Sequence, residues 1–182
     1  MTQTPSAVQL TFERVPVESI GRAQWREIID LCSVAYDEDF AALFRTLPDT
    51  THILARQGNR LVSHACWVVR WLQPGDLRPL RTAYLEAVAT APEYQGLGFG
   101  SAVMRRAAAE ITDFELGGLS PGRYSFYERL GWEPWRGPLA IRTDDGLLIT
   151  PRDNAMVLRL PCTPELDLDA PMTAEWRVGE LW

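Results

Sequence analysis

Lysine is absent from these 182 residues, and all eighteen basic side chains are arginine. That absence reads as the codon bias of a GC-rich genome and carries no mechanism. Histidine is reduced to His52 and His64, and cysteine to Cys32, Cys66 and Cys162. With neither CxxC pairs nor a His-rich cluster, metal chemistry is not indicated, and isolated thiols suit a reducing cytoplasm. No apolar run approaches the ~20 residues that span a bilayer. Met1 to Ala7 lacks the basic segment and apolar core of a secretory signal, so a cytoplasmic location is expected. Positive charge is also in deficit. Twenty-four Asp and Glu against 18 Arg leave a formal charge of −6, which argues against nucleic acid and anionic membranes as partners. The same balance is compatible with a cationic substrate.

What remains is a chain with 46% hydrophobic residues, enough for one core, and 1–182 is expected to form a single domain. Alternation over 8–14 suggests a first strand, and the spacing of Ile20, Trp25, Ile28, Leu31 and Cys32 a helix over 18–35. A short helix follows near 39–46. Strands at 51–56 and 60–71 flank a Gly58-Asn59 turn. Further strands are expected at 80–90, 113–119, 132–136, 139–143, 147–150 and 155–160. Helices are expected at 99–111 and from Ser120-Pro121 to Leu130-Gly131, where Ser120 is read as an N-cap and Gly131 as a left-handed C-cap. The proline-rich arm 161–182 lacks periodicity and reads as a peripheral strap. His64 is expected to be a satisfied core or edge histidine, and His52 to be exposed.

Tyr84 to Met104 carries the most chemistry. An apolar strand runs past Pro92 into Gln95-Gly96-Leu97-Gly98-Phe99-Gly100-Ser101 and then into a helix. Residues this small expose backbone N–H groups at a helix N-terminus, where its partial positive charge favours a diphosphate. Glu86 lies within the strand that feeds the turn. A carboxylate beside a diphosphate cradle points to an enzyme. Plain strand alternation puts Glu86, Val88 and Thr90 on one face.

The spacing Gln95-x-x-Gly98-x-Gly100 resembles the acetyl-CoA loop of the GNAT N-acetyltransferases, and Phe126-Tyr127-x-x-Leu130-Gly131-Trp132 resembles a later signature of that superfamily. Within it, Tyr84-x-Glu86-x-Val88-Ala89, Gly131-Trp132-x-Pro134-Trp135-x-Gly137-Pro138 and the ending Glu175-Trp176-Arg177-Val178-Gly179-Glu180-Leu181-Trp182 are similar to the aminoglycoside 2′-N-acetyltransferases. The resemblance covers roughly residues 30–182. It implies an α/β (α+β) GNAT fold with a strongly twisted mixed central sheet, splayed at the acetyl-CoA strand, and acetyl-CoA as cosubstrate.

Acetyl transfer from a thioester to an amine needs a base, a polarised carbonyl, an acid for the thiolate and aligned substrates. Glu86 is the candidate base. The resemblance gives the Val88 N–H the thioester carbonyl, Val88 and Thr90 the pantetheine amides, and the Gln95, Gly96, Gly98, Gly100 and Ser101 turn the coenzyme. Tyr127 is the candidate acid, with Tyr124 as its rival. For the acceptor the resemblance implies Asp39, Ser120, Asp153 and the terminal carboxylate of Trp182, with the 161–182 arm completing the site. Trp132 and Trp135 are candidate cleft walls, although packing alone explains them.

Three features depart from that pattern, one of them a shorter loop before Arg123. Arg152-Asp153-Asn154 sets an arginine where the relatives are acidic, and apolar residues such as Phe44 stand where they carry a second acid after Asp39. The implied function is acetyl-CoA-dependent N-acetylation of an aminoglycoside at the 2′-amine, with a homodimer possible. The alternatives are a GNAT acetylating another small amine or polyamine, and a catalytically silent acyl-CoA sensor.

Overall fold

The longest strand of the molecule, Arg60–Pro74, is where its sheet branches in the computed structural model, which describes residues 10–182. In chain order the strands are β1 (Leu10–Pro16), β2 (Thr51–Gln57), β3 (Arg60–Pro74), β4 (Leu80–Thr90), β5 (Leu116–Leu119), β6 (Glu133–Pro134), β7 (Leu139–Thr143), β8 (Gly146–Ile149), β9 (Met156–Arg159) and β10 (Met172–Glu175). The helices are α1 (Arg22–Tyr36), α2 (Phe40–Phe44), α3 (Phe99–Glu110) and α4 (Tyr124–Glu128). The expected first strand begins at Leu10 here; Val8 and Gln9 lie outside the described residues.

One edge of β3 pairs antiparallel with β4. The other edge is divided, with Arg60 to Trp67 pairing β2 and Gln73 and Pro74 pairing β10. Beyond β10 come β7 and β8, and beyond β4 come β5, β9 and β6. The β4–β5 and β10–β7 pairs are parallel and the rest antiparallel, giving the expected mixed sheet. Helices cover both faces of the β2–β4 region, so β2 is buried continuously from His52 to Ala55 instead of alternating. Ile53 and Ala55 pack with Val103, Met104 and Ala107 of α3, and Leu54 with Ile28, Leu31 and Cys32 of α1.

Three expectations change. His52 is fully buried, because Trp25 and Phe44 close over it with ring centroids 5.2 and 5.9 Å away. The helix expected from Ser120 begins only at Tyr124, with Arg123 as an N-cap that supplies no side-chain hydrogen bond; Pro121 and Gly122 remain in the loop. Its end is as expected: Gly131 is left-handed, and the bonds Gly131 N–H to Glu128 O and Trp132 N–H to Tyr127 O form a Schellman motif. The C-terminal arm is not peripheral. Its β10 inserts between β3 and β7, burying Met172 and Ala174, so four residues too short to show a period complete the sheet.

Candidate active site

Register sets the site before any side chain does. The β4–β5 pairing stops at Leu85–Leu119, so Glu86 to Thr90 run on without a neighbour on that side. Against β3 the register passes from His64–Ala89 to Cys66–Glu86, three steps on β4 for two on β3. The extra residue is a β-bulge, and Ala87 takes the left-handed φ of 50°. A bulge reverses alternation. Upstream, Ala83 and Leu85 pack towards α3; downstream, Ala87 and Ala89 pack towards α1, and Val88 joins the α3 side. Glu86 therefore does not share a face with Val88 and Thr90. It shares one with Tyr84, while Thr90 meets the start of α3.

Side chains hold the carbonyls of this segment. Cys66 Sγ donates to Glu86 O (3.5 Å), His64 Nδ1 to Ala87 O (2.8 Å), Tyr36 Oη to Val88 O (2.7 Å), Ser63 Oγ to Ala89 O (2.8 Å) and Gln95 Nε2 to Thr90 O (3.2 Å). The Val88 and Thr90 oxygens are thus engaged by Tyr36 and Gln95. Val88 itself has no register partner on β3 or β5.

The glycine turn follows. Gly96 and Gly98 are left-handed at φ 77° and 86°, and Gly98 is the N-cap of α3. A Cβ on Gly100 would stand 3.1 Å from Thr90 Oγ1 and 3.5 Å from the Phe126 ring. Turn and splayed strand open into one cleft of about 800 Å³, within the range of small-molecule sites. Gln95, Gly96, Gly98, Gly100 and Ser101 line it, as do Glu86, Val88, Thr90, Tyr127, Asp39, Ser120 and Trp182. Arg123 and Arg129 add positive charge, and Glu38 and Glu180 add carboxylates. Asp153 is not among the lining residues; it sits on the exposed turn after β8, with its N–H bonded to Thr150 O.

Glu86 is nearly enclosed, and its partner went unforeseen. Arg177 of the C-terminal arm brings Nη2 to 2.7 Å from Glu86 Oε1, with both side chains about nine-tenths buried. The N–H groups are not aligned for hydrogen bonding, so that oxygen, both terminal arginine nitrogens and the Tyr84 hydroxyl are buried without a hydrogen-bond partner. Burial pushes the Glu86 carboxyl above its ordinary pKa, and the opposing pull of Arg177 does not reverse this. Such a group is a better proton acceptor than an exposed glutamate.

Tyr127 is buried, and burial raises its phenol to about 12, so it keeps its proton across the neutral range. Tyr124 is partly exposed and does not line the cleft, which separates the two candidates. Asp39 lines the cleft while its Oδ1 accepts from Ala41 N–H at 3.0 Å as the N-cap of α2. Trp182 buries its indole, donating Nε1–H to Thr150 Oγ1 at 3.0 Å. The arm carrying it is tied down by buried Arg70, which donates to Leu181 O (2.6 Å), Glu175 O (2.9 Å) and Glu175 Oε1 (3.2 Å).

Tyr36, Arg70, Arg177 and Glu180 were missed from sequence. Arg177 and Glu180 fall within the quoted terminal motif and could have been singled out there. Tyr36 and Arg70 stand in a helix and a strand with no local mark of their roles.

The chain matches the Acetyltransferase (GNAT) domain family over residues 16–135. It is 35% identical over 129 residues to an aminoglycoside 2′-N-acetyltransferase of Mycolicibacterium fortuitum, a stretch covering 67% of this chain and 66%, just under two thirds, of that protein. Among solved structures it is similar to the GNAT family N-acetyltransferase YhbS of Escherichia coli, solved in complex with CoA. That TM-score is 0.65 at 12% identity, covering 96% of this chain and 93% of the other. It is also similar to Eis1 of Mycobacterium abscessus, with a TM-score of 0.61 at 16% identity over 72% of this chain and 33% of that one. A matched family spanning most of the chain, joined to a splayed strand that ends in a glycine turn, leads to one conclusion: the chain belongs to the GNAT acetyltransferase family.

Proposed function

We propose that this protein transfers the acetyl group of acetyl-CoA to the 2′-amine of an aminoglycoside. The observation that carries the reading is the junction of Glu86 with the C-terminal arm. An enclosed carboxylate of raised pKa lines the same cleft as the glycine turn and the chain-terminal Trp182. The 35% identity to a 2′-N-acetyltransferase supports the regiochemistry. The carboxylates of Glu38, Asp39 and Glu180 suit a polycation.

In this reading the α3 N-terminus and the Gly96–Gly100 amides hold the diphosphate, with Ser101 beside them. The Val88 N–H polarises the thioester carbonyl. The acceptor ammonium loses a proton to Glu86, directly or through a water, and the neutral amine forms the C–N bond as the C–S bond breaks. Tyr127 donates its hydroxyl hydrogen to the departing sulfur. As the amide forms the nitrogen gives up its second proton, which makes good the one Tyr127 has lost, so that amide and free thiol leave.

Asp153 outside the cleft and Arg152 beside it favour a second reading, in which the same chemistry acts on another small amine. Coenzyme A release separates them. Turnover with tobramycin and kanamycin B but not kanamycin A, which has a 2′-hydroxyl, is the expected result. Equal rates on all three eliminate the 2′ assignment, and turnover only with simpler amines moves the proposal to the second reading.

A further inference from the structure

Behind the bulge lies a buried polar chain that the proposed chemistry does not use. Thr50 Oγ1, His52 Nε2, His52 Nδ1, His64 Nε2, His64 Nδ1 and Ala87 O are linked at 2.8, 2.9 and 2.8 Å, and Thr50, His52 and His64 are essentially inaccessible to solvent. Its proton order follows from its end. A carbonyl only accepts, so His64 Nδ1 carries the hydrogen and Nε2 is bare. His52 must then donate from Nδ1 and accept at Nε2 from the Thr50 hydroxyl. Both rings are neutral in this order, and burial, which lowers both pKa values, maintains that state. The titratable neighbours are the thiols of Cys32, 3.6 Å from His64 Nδ1, and Cys66; burial raises both, so no charge faces the pair.

His52, His64 and Cys66 do place ligand-type atoms within 4.8 Å of one another. However, all four ring nitrogens already have protein partners, so an ion would have to break the chain.

We propose that His64, oriented by His52 and Thr50, is a positioning residue that holds the β4 bulge in its working shape. Ala87 is a non-glycine residue in left-handed backbone, which persists only where its surroundings over-determine it. The His64 bond to its carbonyl at 2.8 Å, far shorter than the 3.9 Å contact from Cys32 Sγ, is that determination. The consequence is geometric: the bulge sends Glu86 to the arm face and Val88 to the α3 face, on either side of the reacting atoms. Without the bond Ala87 can relax towards ordinary strand backbone, which rotates the Val88 amide away. The catalytic half of this inference rests on the acetyl-transfer reading; the structural half does not.

Two substitutions lose one hydrogen bond each, at opposite ends of the ring. In His64→Asn the amide nitrogen can take the place of Nδ1 and keep the Ala87 bond. In His64→Gln the longer side chain can take the place of Nε2 and keep only the His52 bond. Three measurements are made on wild type and both variants: hydrogen exchange at the Ala87 and Val88 amides, the ¹⁵N signature of His64, and coenzyme A release with tobramycin. The expected results are a neutral wild-type His64 protonated at Nδ1 with no titration from pH 5 to 8, and faster exchange in His64→Gln than in His64→Asn. For turnover, kcat is expected to fall about 10²-fold in His64→Gln with the tobramycin KM little changed, and to be largely kept in His64→Asn. Equal exchange in the two variants, or a wild-type His64 protonated at Nε2, overturns the inference. Wild-type inactivity towards tobramycin sinks the acceptor assignment and leaves the exchange and NMR results to decide this one.

Discussion

A single guanidinium most alters the chemistry expected of Glu86. Arg177 favours the ionised carboxylate and burial disfavours it by more, so the pKa stands above its ordinary value. Activity that needs ionised Glu86 is lost as pH falls through its pKa, so the acid limb should lie above the ordinary carboxylate range. Removing Arg177 removes the influence that lowers this pKa. In Arg177→Ala the acid limb of kcat/KM should therefore move to higher pH; an unmoved limb would mean that another group titrates. Glu86→Gln should lower kcat by about 10²–10⁴-fold with coenzyme affinity retained, measured by steady-state kinetics and calorimetry. Glu86 and Tyr127 were singled out from the chain itself, because a carboxylate in a strand feeding a glycine turn and a tyrosine in a Phe-Tyr-x-x-Leu-Gly block are local patterns. Arg177 makes its contact across ninety residues, and nothing in the spacing shows the pairing.

At the scale of the element, the β4–turn–α3 unit was legible almost to the residue: Leu80–Thr90 and Phe99–Glu110 against 80–90 and 99–111. The bulge within β4 was not. Alternation of apolar residues cannot reveal an extra residue that only a partner strand defines, which is why plain alternation puts Glu86 on the face of Val88 and Thr90. The meeting of the turn with its neighbours yields a test. Gly100→Val adds a side chain from 3.1 Å of Thr90 Oγ1. It should raise the acetyl-CoA KM at least about tenfold, a loss near 1.4 kcal/mol, while the acceptor KM stays within twofold. An equal rise for both substrates would argue against a coenzyme-specific turn. α4 shows the converse failure: Ser120-Pro121 has the form of a helix start, yet the chain stays in a loop until Tyr124.

On the scale of the whole molecule, the C-terminal arm makes the site a property of segments far apart in the sequence. It crosses the sheet as β10, and Arg70 fastens it by three hydrogen bonds, two of them to backbone carbonyls. Arg70 is 1% exposed, whereas Glu175 is about a third exposed, so the pair is worth less than a fully buried one. Arg70→Leu should reduce stability by about 2–3 kcal/mol in urea unfolding. It should also weaken the acceptor KM more than the acetyl-CoA KM, because Arg177, Glu180 and Trp182 lose their anchor together. A loss of stability with both KM values unchanged would remove the arm from acceptor binding. Among the described residues no helix is long and apolar enough to cross a membrane.

The linear chain by itself determined the family and the strand–turn–helix cradle and offered a carboxylate and a phenol as candidates, because each is written in residues close enough to form one local pattern. Only the tertiary structure decided which face Glu86 points to, that an arginine sits against it, and that two histidines lie behind it in a neutral chain. Those depend on register, on burial and on contacts between distant segments, and such quantities exist only once the strands are side by side.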